Sequence, residues 1–408
     1  MHNETIEFQE WSPARILRLN KDEAAALSSH EKIFKVQKVG DGQYRIAPRG
    51  GYVGACKLSP NRQILIQPKV PMENFYQLLW LGHRLHSLPN PNTTAKYQSG
   101  GVSDWFSFLV LSEIEGLLRG QLRSGYVDVS ESLVFLRGSI DFTRPSFGDA
   151  RLRCNYSDYQ IDTPQNRIIR AALELISDGP YQRQIQLKAF GLLSGLGYVK
   201  YTRPSLQDID DIVVDSIHAA YKPAFELIRL LFAGSGVSYA AGETAAPGLF
   251  LKMDRIFERA LHAALVEELG GALVHYQPEI GKRLQHVAGV PNLGFSMRPD
   301  IVSTLTPTAV IARSISSAQF VIDAKYQRPL AKGQYRMGFR NTNVYQIMTY
   351  AAALKCPGIL AYPRDNQDIS VSYKMDDVHF KIETIDLSLP QLEGLRSFAR
   401  QFTNQLAA

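Results

Sequence analysis

Apolar residues recur along this chain at two periods, and the change of period divides it. The first 70 positions read mostly as short strands. Segments 32–39 and 43–46 flank Gly40-Asp41-Gly42, a hairpin signal. Gly50-Gly51-Tyr52-Val53-Gly54 is a glycine-rich bend and not a phosphate loop, because neither a Lys-Ser/Thr pair nor a helix follows it. Residues 64–66 form a strand that stops at Gln67-Pro68-Lys69, a helix follows over 75–86, and 89–101, rich in Pro, Asn, Thr and Gly, is a linker. The period then becomes helical. Trp105, Phe108, Leu109, Leu111 and Leu117 share a face over 103–122. Segments 133–142 and 150–156 are two strands joined by the turn 143–149, so 133–156 is expected to project as a hairpin. Asp162-Thr163-Pro164 starts a further helix with a cap and an early proline, and helices continue to about Ala233. The Ala/Gly-rich stretch 239–248 marks a second boundary. Beyond it, 250–269 is an amphipathic helix with Phe250, Met253, Phe257, Leu261, Ala264 and Leu265 on one side. Strands follow at 274–280, 295–302 and 318–326, then a helix at 344–354 and a strand at 358–362. Helix, three strands, helix, strand is a mixed α/β core. The expected organisation is a β-rich region 1–98, a helical region 99–245 carrying the hairpin, and an α/β region 246–408, which suits a chain of 408 residues.

Composition narrows the class. Hydrophobic residues at 45% and charged residues at 21% describe a globular protein. No apolar run approaches the ~18 residues of a membrane span. The first residues, Met1-His2-Asn3-Glu4, carry neither a basic nor an apolar leader segment, so a cytoplasmic location is expected. Cys56, Cys154 and Cys356 are far apart and odd in number, which argues for buried free thiols over disulfides or a structural zinc. His83 and His86 have no third ligand spaced to complete a metal site. The net charge of +6 permits a polyanionic partner without requiring one. Its distribution says more: between Lys325 and Arg340 there is no acid, and Arg328, Lys332, Arg336 and Arg340 recur at every fourth residue. Pro329, Gly333 and Gly338 make this a loop and not a helix. The four are candidate contacts to a DNA backbone, although a solvated loop has the same composition.

The sharpest chemistry lies in Phe320-Val321-Ile322-Asp323-Ala324-Lys325-Tyr326. Alternation along a strand puts Asp323 and Lys325 on one face. A carboxylate that holds a divalent cation, beside an ammonium that stabilises developing charge, is the equipment of metal-dependent phosphodiester hydrolysis. D-x-K by itself occurs about once by chance in a chain of this length. Asp300, in Met297-Arg298-Pro299-Asp300-Ile301-Val302, supplies a second acid, and Mg²⁺ needs little more than two carboxylates, waters and substrate phosphate. Glu258 on the preceding helix is a third. Gln346 and Tyr350, four apart, share a helix face and can orient a phosphate, a water or the lysine.

This set resembles the PD-(D/E)XK nuclease superfamily. Pro299-Asp300 and Asp323-Ala324-Lys325 match its two signature elements, and Gln346-x-x-x-Tyr350 matches the Q-x-x-x-Y of its RecB-like branch. Gly51-Tyr52-Val53-Gly54, Ile64-x-Ile66-x-Pro68-Lys69, Leu136-Arg137-Gly138-Ser139-Ile140-Asp141, Cys154-x-Tyr156, Asp162-x-Pro164-x-Asn166-Arg167 and Leu251-Lys252-Met253-Asp254-x-x-Phe257-Glu258 extend the resemblance, in order, to the McrC family. Asn343 departs from it, standing where an acid is expected. The resemblance implies a nuclease core over 246–408, Mg²⁺ held by Asp300, Asp323, Ala324 and Glu258, and a catalytic group of Asp300, Asp323, Lys325, Gln346 and Tyr350. It implies the nuclease subunit of a 5-methylcytosine-type restriction system, acting on double-stranded DNA. Since the chain has no G-x-x-x-x-G-K-[ST], it also implies a separate AAA+ GTPase ring of the McrB kind, stimulated by a projecting finger. Arg137 and Arg144 of the hairpin are the candidate partner contacts. The competing reading keeps the nuclease core as a scaffold and makes the chain a non-catalytic activator of the ring; retention of Asp300, Asp323 and Lys325 favours catalysis.

Overall fold

In the computed structural model, which describes residues 4–59, 61–83, 101–142, 151–179, 181–212, 218–235, 248–280, 297–307, 310–311, 314–315, 317–332 and 337–406, the alternating N-terminal pattern builds two small sheets. Its strands are β1 (Glu4–Gln9), β2 (Arg15–Arg18), β3 (Phe34–Gly40), β4 (Gln43–Pro48), β5 (Tyr52–Ser59) and β6 (Arg62–Gln67). β3 and β4 pair across the Gly40-Asp41-Gly42 turn, where Gly42 takes φ +64°. Helix α1 (Lys21–Ser28), which alternation did not signal, is started by a capping box between Asn20 and Glu23. Helices α2 (Met72–His83) and α3 (Gly101–Arg119) then bury Phe75, Leu78 and Leu79 against Trp105, Phe106 and Leu109. The expected linker lies outside the described residues except for Gly101.

The middle segment opens with β7 (Gly125–Leu133), β8 (Ser139–Ile140) and β9 (Leu152–Gln160), ordered β7-β9-β8. This corrects the strand positions read from the sequence. The partner of β9 along its whole length is β7, and only Ser139–Ile140 pairs on its other edge. Gly138 is the bend that leads into β8 and passes close against β9. It has φ +71°, and a Cβ there would stand 2.3 Å from the Asn155 carbonyl oxygen. β7 has only a short alternation, half-buried Val127 and Val129 between exposed Tyr126, Asp128 and Ser130, before the polar run Ser130-Glu131-Ser132 ends it. The turn 143–149, with Arg144, lies outside the described residues. Helices α4 (Pro164–Ser177), α5 (Arg183–Leu193), α6 (Leu206–Asp210) and α7 (Lys222–Gly234) follow. Thr163 caps α4 through Asn166 N–H, with Pro164 in the first turn as expected.

The helix expected from 250 begins at Met253. Residues 248–252 form instead a strand, β10 (Gly248–Lys252), antiparallel to β5. An apolar run such as Leu249-Phe250-Leu251 fits a helix stripe or a buried strand equally, and the partner decides. Gly54 provides the room: it has φ +143°, and a Cβ would lie 2.0 Å from the Leu249 carbonyl oxygen. The division at 245/246 therefore assigns to the third segment a strand that completes the sheet of the first, β1-β6-β5-β10.

After α8 (Met253–Leu269) come β11 (Val274–Tyr276), β12 (Ile301–Thr304), a short pair β13 (Val310–Ile311) and β14 (Ser314–Ile315), and β15 (Ala318–Ala324). A second short pair, β16 (Ala331–Lys332) and β17 (Met337–Gly338), precedes α9 (Asn341–Leu354), β18 (Gly358–Pro363), β19 (Ser370–Met375), β20 (Val378–Ile385) and α10 (Glu393–Leu406). β19, β20 and α10 extend the core beyond the elements read from the sequence. The large sheet runs β11-β12-β15-β18-β20-β19, with β15, β18 and β20 parallel. Helix α9 covers one face, where Ile347, Ala351 and Leu354 meet Val302, Val321, Leu360 and Ile382. The other face, with Phe320, Ile322 and Ala361, joins α8 and α10 in a core continuous with α2 and α3. The chain is thus a mixed α/β protein whose large sheet shares its core with the N-terminal helices. Among the described residues no helix is long and apolar enough to cross a membrane.

Candidate active site

Strand β15 buries Phe320, Ile322 and Ala324 on the α8 side and Val321 on the α9 side, so Asp323 and Lys325 share Val321's side. Asp323 is fully buried, and Lys325 Nζ stands 2.9 Å from its Oδ2. Asp300 was expected on a strand; it lies one residue before β12. Pairing of Ile301 with Ile322 brings it alongside, where its Oδ2 accepts the Ala324 N–H at 2.8 Å and lies 4.0 Å from Lys325 Nζ. Two acids distant in sequence become neighbours because their strands are. Glu258 is buried on α8, its Oε1 accepting from Gln277 Nε2 at 2.6 Å. From α9, Gln346 Nε2 donates to Tyr350 OH at 3.0 Å, and that hydroxyl donates to the Arg298 carbonyl at 3.4 Å.

The electrostatics follow from crowding acids around one ammonium. Burial pushes Asp300 up to about 7, with the charge of Asp323 adding to it. Burial and then the charge of Asp300 push Glu258 up to about 7. Asp323 is raised by burial against the opposing pull of Lys325. Burial acts to lower Lys325, but Asp323 and Asp300 outweigh it and hold the ammonium above its ordinary value.

The site fits a hard divalent cation. Asp323 is fully buried with the Lys325 ammonium 2.9 Å from its Oδ2 and the Asp300 carboxyl beside it, so one ammonium serves two neighbouring carboxylates. A buried carboxylate in that condition is costly unless a proton or cation meets it. Ala324 has only its backbone carbonyl to offer. Among the described residues no group of three or more His, Cys, Asp or Glu side chains is placed to hold a metal ion by itself.

A family model described as McrBC 5-methylcytosine restriction system component matches residues 48–363, well over half of the chain. The chain belongs to this McrBC family. Among solved structures it is similar to a chain of the refined half-complex from the tetradecameric assembly of Thermococcus gammatolerans McrB AAA+ hexamers with bound McrC. The TM-score is 0.51 at 16% identity, covering 98% of this chain and 100% of that one. A cryo-EM structure of the Thermococcus gammatolerans McrBC complex is similar with a TM-score of 0.42 at 17% identity, covering 65% of this chain and 88% of that one. No curated protein matches the chain.

Within the McrBC-family match, the structure brings Asp300, Asp323, Lys325 and Glu258 together, with Tyr350 close enough for both aspartates to raise it beyond the effect of burial. Asn343 is buried, and its Nδ2 donates to Tyr362 OH at 2.9 Å. The basic residues are less converged. Arg328 is exposed, 3.4 Å from Asp365 Oδ2, and donates to the Trp11 carbonyl. Arg340 is exposed at the start of α9. Lys332 lies in β16, and Arg336 is outside the described residues. Arg137 is engaged within its own sheet, 2.6 Å from Asp158 and over the Tyr156 ring at 3.9 Å. Two residues had no role in the sequence reading. Asp254 stands one turn before Glu258 on α8, is raised by burial, and accepts the Tyr326 backbone N–H; its spacing of four from Glu258 was the available signal. Gln277 carried none.

Proposed function

We propose that this chain is the nuclease component of a 5-methylcytosine-type restriction system: a Mg²⁺-dependent endodeoxyribonuclease of the PD-(D/E)XK type that binds and stimulates an AAA+ GTPase ring. The observation that carries the reading is the junction of Asp300, Asp323 and Lys325, two carboxylates from neighbouring strands gathered on one ammonium. Asp300, Asp323 and the Ala324 carbonyl would hold Mg²⁺, with Glu258 beside them; when bound, the ion polarises the phosphate and activates water. Lys325 places a fixed positive charge where a phosphoryl oxygen gains negative charge. Gln346 and Tyr350 orient the group entering from the α9 side. Exposed Arg328 and Arg340 supply contacts to the backbone of double-stranded DNA. The partner is inferred from the family and from the similar assembly, in which McrC is bound to McrB AAA+ hexamers. The segment carrying Arg137 and Arg144 is assigned to the ring.

The test pairs two readouts on the complex with its ring: cleavage of methylated DNA in Mg²⁺, and GTP turnover. Asp323→Ala should abolish cleavage and leave stimulated turnover nearly intact, whereas shortening the 143–149 turn should lower turnover. A folded Asp323→Ala protein that cuts at the wild-type rate removes the catalytic assignment. Equal loss of stimulation in both variants removes the division of labour.

A further inference from the structure

Gln277 follows the last residue of β11 and precedes Pro278. Its φ is +43°, in the left-handed region that residues other than glycine seldom enter, and a following proline narrows the choice further. Such a conformation persists where its surroundings over-determine it. Here the Gln277 N–H donates to the Asp300 carbonyl at 2.8 Å, and the Gln277 carbonyl accepts Arg298 Nε at 3.2 Å. Its side-chain Nε2 donates to Glu258 Oε1 at 2.6 Å. One residue thus grips the backbone of one acid and the carboxylate of another, drawn from a loop and from α8.

We infer that Gln277 is a positioning residue of the cation site: its amide aims the Glu258 carboxylate, and its strained backbone fixes the segment carrying Asp300 relative to it. The inference rests on the metal reading above. A primary amide suits this place because it donates without adding charge. A lysine would neutralise Glu258 and compete with the cation; a glutamate would add a further negative charge against it. Groups that tune a metal site from behind its ligands commonly govern affinity by 10- to 100-fold. Tyr276 also hydrogen-bonds Glu258, so the effect of losing Gln277 belongs at the lower end of that range.

The test uses the full chain and Mn²⁺, with free ion followed by its spin resonance. Gln277→Gly relieves the backbone while deleting the amide. It should melt at or above the wild-type temperature without metal, yet bind Mn²⁺ about tenfold more weakly. Gln277→Met keeps the backbone demand and the side-chain length without a donor, and should lose the same tenfold. Wild-type Mn²⁺ affinity in both variants overturns the inference. So does a loss of binding that only tracks a loss of melting temperature, which would make Gln277 merely structural. Asp323→Ala separates the two layers: if it and the wild type bind Mn²⁺ equally, the metal reading fails and this inference falls with it.

Discussion

Replacing Asp323 by asparagine should stabilise the metal-free protein while destroying cleavage. Asp323 is fully buried, and three carboxylates (Glu258, Asp300 and Asp323) face the single ammonium of Lys325. Like charges ~4 Å apart at an effective dielectric near 20 repel by about 4 kcal/mol. Opposing this, the variant loses the 2.9 Å ion pair with Lys325, and breaking a buried pair costs about 3–5 kcal/mol when it strands a charge. Lys325 is not stranded here, because Asp300 Oδ2 remains 4.0 Å away. The relief of repulsion therefore wins, by about 1–3 kcal/mol, as an amide removes a desolvated charge at nearly constant volume. The pH dependence has a definite sign. Asp300 and Glu258 are raised to about 7 in the fold, so the native state holds protons that the unfolded chain releases from about pH 4. Their contribution to stability is fully present below that value and is lost as pH rises through 7. The variant escapes part of that loss, so its advantage should be small at pH 5 and full at pH 8. Thermal unfolding in a chelator at both pH values, at one scan rate, measures this. Adding Mg²⁺ should reverse the order, because only the wild type gains binding free energy. A variant less stable than wild type at pH 8 in chelator, or an equal gain at both pH values, would refute the reasoning.

Lys325→Ala should cut DNA at least 100-fold more slowly, in line with loss of one preorganised electrostatic group, while still binding Mn²⁺; loss of binding instead would make the lysine structural. Cation affinity should rise as pH increases through about 7, since Asp300 and Glu258 must shed protons to bind; calorimetry in buffers of different ionisation heat should show proton release near pH 6.5 and little at pH 9. Gly54→Ala should destabilise the whole protein by more than ~2 kcal/mol, because the added methyl meets the Leu249 carbonyl at 2.0 Å and its φ is +143°; an unchanged melting temperature would contradict the role given to β10.

How much of this was legible beforehand depended on how local each signal was. The β3–β4 turn, the Thr163 cap, β15, α9 and β18 are written in short windows, by glycines, caps and periodicity, and they stand where expected. Spacing places Asp323 with Lys325 on one strand face and Gln346 with Tyr350 on one helix face, and the structure has both pairs in contact; their grouping as a site comes from the family resemblance. Asp300 was found by residue type, but its position before β12 depends on the pairing with β15. β10 was read as helix because its strand character comes from β5, nearly two hundred positions earlier. β7 was missed because its alternation is short and ends in a polar run, and Gln277 because nothing local distinguishes a glutamine before a proline. In each case the role is set by a strand or side-chain partner outside the short window in which periodicity and capping can be read.

The same reasoning explains why motifs far from β15 accompany it. Gly51-Tyr52-Val53-Gly54 holds no chemistry. Gly51, at φ +84°, accepts Met253 N–H through its carbonyl at 2.8 Å, and Gly54 admits β10, so together they seat the start of α8 and hence Glu258. Lys69, at the end of the Ile64-x-Ile66-x-Pro68-Lys69 motif, donates its backbone N–H to Glu10 Oε2 at 3.1 Å. Glu10 also accepts from Tyr326 OH at 3.0 Å, and Tyr326 follows Lys325 directly. Trp11 packs on the Tyr326 ring at 5.5 Å. The N-terminal segment therefore holds the residue next to Lys325, as Asp300 holds Ala324. A strand anchored this way is kept in place by elements more than 300 positions away in sequence, which is why family-like motifs run through the N-terminal sheet as well as through the segments that bear the acids.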